Sequence, residues 1–198
     1  MPVPHWDSTI RVAPGVTFSL DIAGNNEWLR KTAALREARG TTLALAFEVE
    51  HSVDVVISRF FFPNTDSQSQ ELKTLFEESF LKSASANFAR KLQVFKTICQ
   101  QPPLCSLVSS DLHKNLIRLK DLRNLFAHYP IVFDPSDGQG SDKLTAKLVS
   151  RDKDITLDEE FFSNAEKLFG SVKGELQKIL SVFGVPAEGS RTGGSTGA

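Results

Sequence analysis

Phe161, Ala165, Leu168, Val172, Leu176, Ile179 and Phe183 recur at steps of three and four residues. That rhythm predicts a long amphipathic helix with one apolar stripe. Thr156-Leu-Asp-Glu159 before it has the pattern of a capping box, and Gly184 and Pro186 after it are stop signals. A helix of this kind draws most of its stability from burying its stripe, so the chain must provide other helices to cover it.

Three further segments have the required period. From Thr41 or Thr42 to about Phe62, Leu45, Val49, Val53, Val56 and Phe60 share a side; residues 43–49 also alternate loosely, but the length without Gly or Pro favours a helix over a strand. Residues 68 to about 100 are apolar-periodic with a break expected near Ser83–Ala86. Residues 111–129 place Leu116, Leu119, Leu122 and Phe126 on one stripe. A shorter helix is predicted from about Asn26 to Arg39, closed by Gly40.

Elsewhere the texture differs. Ile131-Val-Phe and Leu144-Thr-Ala-Lys-Leu-Val flank a Gly- and Asp-rich stretch, which predicts a β-hairpin over about 131–151. Residues 1–24 hold three prolines and two glycines around Val16-Thr-Phe-Ser-Leu20 and read as an arm with one short strand. Residues 186–198 have nothing to bury and are expected to be disordered. The expected fold is an all-α, up-and-down helical bundle over 25–185, with a small β-hairpin inserted before the last helix.

Hydrophobic residues make up 40% of the 198, enough for one well-filled core. A net charge of -1 excludes a strongly basic binder, so any nucleic-acid contact has to come from a local patch. No run is long and apolar enough to span a membrane, and Met1-Pro-Val-Pro-His5 does not resemble a secretion signal, so a cytoplasmic protein is expected. In that compartment Cys99 and Cys105 are expected as free thiols. Two cysteines and scattered histidines make no zinc spacing. Glu50, His51 and Asp54 make a poor metal set, because adjacent helical positions diverge by about 100°. No cofactor is implied. Fifteen Phe against one Tyr points to buried aromatics rather than a base-stacking surface.

Chemistry concentrates in Arg123-Asn124-Leu-Phe-Ala-His128, at the end of the fourth predicted helix and just before Pro130. Asn124 and His128 lie about 40° apart around a helix, whereas Arg123 and His128 lie roughly 140° apart. The latter two share a face only if the last turn unwinds or the Arg side chain reaches round; otherwise a second copy of the chain has to complete the site. The same residues also fit a plain helix end, with His128 capping, Arg123 on a solvated face and Asn124 bound to backbone.

The Arg-Asn-x-x-x-His element resembles the signature of the HEPN superfamily of small helical domains. Upstream, Ala46–Phe61, with its acidic Glu50 and Asp54 and its aromatic end, resembles that family's first core helix, and Leu75–Ile98 its second, so the likeness covers about residues 41–183. It implies a metal-independent endoribonuclease, of a defence or toxin type held in check by an antitoxin or regulatory protein, in which RNA's 2'-hydroxyl attacks the neighbouring phosphate. Under that reading His128 exchanges protons, since histidine's ordinary pKa of about 6.5 suits both directions. Arg123 forks onto phosphate oxygens, and Asn124 orients the imidazole or the phosphate. Glu50 and Asp54 support the pair from the first core helix; the competing reading is a solvated acidic face. Arg90 and Lys91, with Lys96 nearby, are candidates for the rim of an RNA groove. The family's habit of pairing implies a homodimer. The alternative function is a non-catalytic module that binds RNA, a nucleotide or a protein, and a helical scaffold without a ligand is the third.

Overall fold

The structure is a computed structural model that describes residues 9–13, 16–19, 26–64, 66–83, 86–134, 145–149 and 154–185. Two compact units divide the chain between Gly40 and Thr41. In the first, β1 (Thr9–Ala13) and β2 (Val16–Ser19) pair antiparallel, with Ile10 opposite Phe18 and an irregularity between Arg11 and Ala13. One strand is expected there from the sequence, but two form. The expected tail at 186–198 lies outside the described residues.

Helix α1 runs from Asn26 to Phe61 without a break, so the two helices expected on either side of Gly40 are one. A glycine inside a helix costs stability, but it ends the helix only where it takes a positive φ, and Gly40 does not. Gly184 does, at φ 69°. There Val185 N–H reaches back to Leu180 O at 3.2 Å and Gly184 N–H to Ser181 O at 3.1 Å, which closes the last helix as the sequence predicts.

In the second unit, α2 (Ser67–Phe76) runs into a π-helical turn, Glu77–Leu81. After the expected break comes α3 (Phe88–Cys99). Asp66 caps α2 by accepting from Ser69 N at 2.9 Å, and Asn87 caps α3 by accepting from Arg90 N at 3.0 Å. Next come α4 (Leu112–His128), then β3 (Ile131–Asp134), β4 (Thr145–Val149) and β5 (Asp154–Thr156), then α5 (Glu159–Val182). The second unit's described part is thus mostly helical with one small antiparallel sheet, ordered β3-β4-β5. β5 is an addition to the expected hairpin; its three residues are too few to give an alternation in sequence. The α5 cap is Asp158, which accepts from Phe161 N at 2.8 Å, two positions after the Thr156 of the predicted capping box.

The core joins the predicted stripes. Val49, Val53, Val56 and Ile57 of α1, Leu92 and Phe95 of α3, Leu116, Leu119 and Phe126 of α4, and Val172, Leu176 and Ile179 of α5 are all buried, with Leu148 of the sheet. Helix α4 packs against both α3 and α5. By contrast α2 buries no residue, although Phe76 meets the rings of Phe61, Phe62 and Phe80. Among the described residues no helix is long and apolar enough to cross a membrane. Cys99 and Cys105 are both free; burial pushes the Cys99 thiol up to about 12, and Cys105 is exposed.

A Cβ placed on Gly40 meets nothing within 4 Å. Gly40→Ala is therefore expected to stabilise the protein by about 0.5–1 kcal/mol through helix propensity alone. Chemical denaturation with an unchanged slope and a higher midpoint would agree, and a lower midpoint would show that α1 needs a glycine here.

Candidate functional site

Four charged side chains from three helices meet beside the core. Glu50 and Asp54 stand one turn apart on α1, Lys91 comes from α3, and Arg123 from α4. Lys91 falls within the apolar stripe of α3, about 60° from Phe88 and about 40° from Phe95 around the axis, so the packing that buries those rings carries the lysine inward. Its side chain is only 7% exposed. The Nζ donates to Asp54 Oδ2 at 2.8 Å and to Glu50 Oε1 at 3.1 Å.

Burial opposes the Lys91 charge, but the hydrogen bonds to Asp54 and Glu50 outweigh it and hold the ammonium above its ordinary 10.5. Asp54 shows the opposite balance. Burial raises its pKa, the Lys91 hydrogen bond only partly offsets this, and Oδ1 is buried without a hydrogen-bond partner among the described residues. The lysine is thus firmly cationic, and Asp54 carries the desolvation cost of the cluster.

Glu50 turns its second oxygen toward Arg123, with Oε2 at 4.0 Å from Nη2. That distance permits attraction but is too long for a hydrogen bond, so the guanidinium is oriented without using up a donor. From another side the Phe47 ring lies against it, 5.2 Å from Cζ to the ring centroid. The Arg123 side chain stays 28% exposed. The result is a series Asp54, Lys91, Glu50, Arg123 of alternating sign, anchored inside and ending in a cation that water can reach.

His128 is the last residue of α4 and is exposed, while Asn124 is half-buried. The helix stays regular to its end: Tyr129 N–H still reaches Leu125 O at 3.1 Å, and Tyr129 itself is extended (φ −104°, ψ 141°), the conformation a residue before proline prefers. Unwinding of the last turn therefore does not bring Arg123 and His128 together. Arg123 turns toward α1, and His128 lies around the helix from it.

The expected groove rim is corrected for one residue. Arg90 and Lys96 are exposed, but Lys91 is buried and committed to two carboxylates, so it does not line an RNA groove. Phe47 is the residue the sequence reading passed over. Its spacing of three before Glu50 puts it on the same flank of α1, and that was the available signal. Among the described residues no group of three His, Cys, Asp or Glu gathers in a way that would hold a metal ion. No protein-family model, curated protein or solved structure matches the chain.

Removing the central cation tests the cluster. Lys91→Met leaves two partly buried carboxylates facing each other and is expected to destabilise the fold by about 3 kcal/mol at neutral pH. The sign with pH is fixed by linkage. Unneutralised buried carboxylates titrate above their unfolded values, so the folded variant binds protons more tightly than its unfolded chain, and the deficit should shrink as pH falls through the carboxylate range. Urea unfolding of both proteins at neutral and acid pH checks this; a deficit that is the same at both would contradict the assigned role of Lys91.

Proposed function

We propose that this chain is a HEPN-like, metal-independent endoribonuclease built on an up-and-down helical bundle, acting as a homodimer. The observation that supports it best is the state of Arg123: held by Glu50 and Phe47, partly exposed to solvent, and with no donor spent on Glu50. A guanidinium positioned that way suits an RNA phosphate, where it can fork onto two oxygens and stabilise the charge of the transition state. Glu50 fixes the direction of approach, and Lys91 limits the repulsion that Glu50 would otherwise exert on the phosphate.

The exposed His128 supplies the proton transfers: abstraction from the 2'-hydroxyl and donation to the leaving 5'-oxygen. Because Arg123 and His128 face different ways on a regular helix, the reaction is proposed to use a second copy of the chain, with each cleft combining groups from both. Asn124, one turn before His128, orients the imidazole or the phosphate. The rival reading, a module that holds RNA, a nucleotide or a protein without cutting, draws on that same divergence of Arg123 and His128.

Incubation of the purified protein with a mixed RNA pool in EDTA separates the two. The endoribonuclease predicts cleavage that falls by about 100-fold or more in His128→Ala and in Arg123→Ala. Retardation of RNA without cleavage supports the rival. Intact, unretarded RNA across about pH 5 to 9, the range over which a histidine changes charge, overturns the endoribonuclease and the RNA-holding form of the rival.

A further inference from the structure

Phe47 does not behave like Phe61, which is also exposed on α1. Phe47 is 54% exposed and Phe61 51%. Phe61 packs edge-on against Phe60 at 5.5 Å and meets Phe76 at 5.7 Å, so ring contacts account for it. Phe47 has no ring neighbour among the described residues and lies instead against the Arg123 guanidinium. About half of the Phe47 surface is left in water with a guanidinium beside the ring.

We propose that Phe47 is a stacking platform for an unpaired nucleobase, a purine in preference to a pyrimidine, next to the phosphate that Arg123 engages. The proposal rests on the RNA reading given above and adds to it a residue that sets base preference. Three features of the geometry support it. Arg123 lies against the ring and leaves much of it in water, and a flat apolar ring in water is the surface on which single-stranded bases stack. The guanidinium polarises and steadies the ring, which an isolated surface Phe would lack. Glu50, on the same flank of α1, has Lys91 on one oxygen and Arg123 near the other, so its charge is largely neutralised where a nucleotide would lie. The larger π-face of a purine covers more of the ring, hence the preference.

The test uses the full chain and 2'-O-methyl oligoadenylate and oligouridylate about twelve nucleotides long. Methylation removes the attacking hydroxyl, so affinity is read without cleavage. The wild type is expected to bind the adenylate more tightly than the uridylate. Phe47→Leu keeps the apolar bulk but loses the ring; it should weaken adenylate binding by about tenfold and flatten the preference, while Phe47→Trp retains both. Because residue 47 is half exposed and outside the core, both variants should keep the wild-type melting temperature and size in solution. If the wild type binds and Phe47→Leu matches it in affinity and preference, the platform is wrong and the RNA reading stands. If the wild type binds neither oligonucleotide, the RNA reading itself fails and the platform with it. A change in oligomer size in Phe47→Leu would overturn the proposal in favour of a contact between subunits.

Discussion

A lysine buried between two carboxylates governs this structure. Lys91 sits among the rings of α3, where an aliphatic side chain would have packed at lower desolvation cost, and its charge is tolerable only because α1 supplies Asp54 and Glu50 within 3.1 Å. The bond runs both ways. Glu50 is fixed by Lys91, so its free oxygen points steadily at Arg123; remove the lysine and the glutamate has reason to turn toward water. Position and charge at the solvent end of the series are therefore set from inside the core. Lys91 also ties α1 to α3, and Arg123 ties α1 to α4, so the same side chains orient three helices and one guanidinium.

Stripes of apolar residues made much of the helical framework readable in advance. Phe161 to Phe183 and Leu116 to Phe126 each carry a period that few structures other than a packed helix satisfy, and the stop signals at Gly184 and Pro130 are local chemistry. Gly40 was misleading because a glycine is read as a stop, yet its effect depends on the φ it adopts, and helical hydrogen bonding on both sides overrode a cost of about 1 kcal/mol. The third strand was hidden by its length. β5 is recruited by hydrogen bonds to β4, with Ile155 opposite Leu148, and such pairing leaves no mark in three residues of sequence.

At the site, sequence gave the types and spacing of residues on each helix but not which helices would meet. Arg123 and Glu50 are far apart in the chain, and their approach is a result of packing. Lys91 shows the limit in a sharper form: charged residues are usually solvated, and that expectation placed it on a surface. Its position within the Phe88–Phe95 stripe pointed the other way. Phe47 was lost for the converse reason, since a phenylalanine is ordinarily assigned to the core.

Arg123 is proposed as a phosphate contact made ready by Glu50, which Lys91 holds in turn. The most direct measurement is the salt dependence of binding to single-stranded RNA, because each phosphate neutralised by a cation contributes about 0.7 to the slope of log affinity against log salt. The account predicts a slope shallower by about that amount in Arg123→Ala and unchanged in Glu50→Gln, which keeps the cation but loses its guide. Identical slopes for Arg123→Ala and the wild type, with RNA still bound by both, would show that the guanidinium touches no phosphate and would contradict the account.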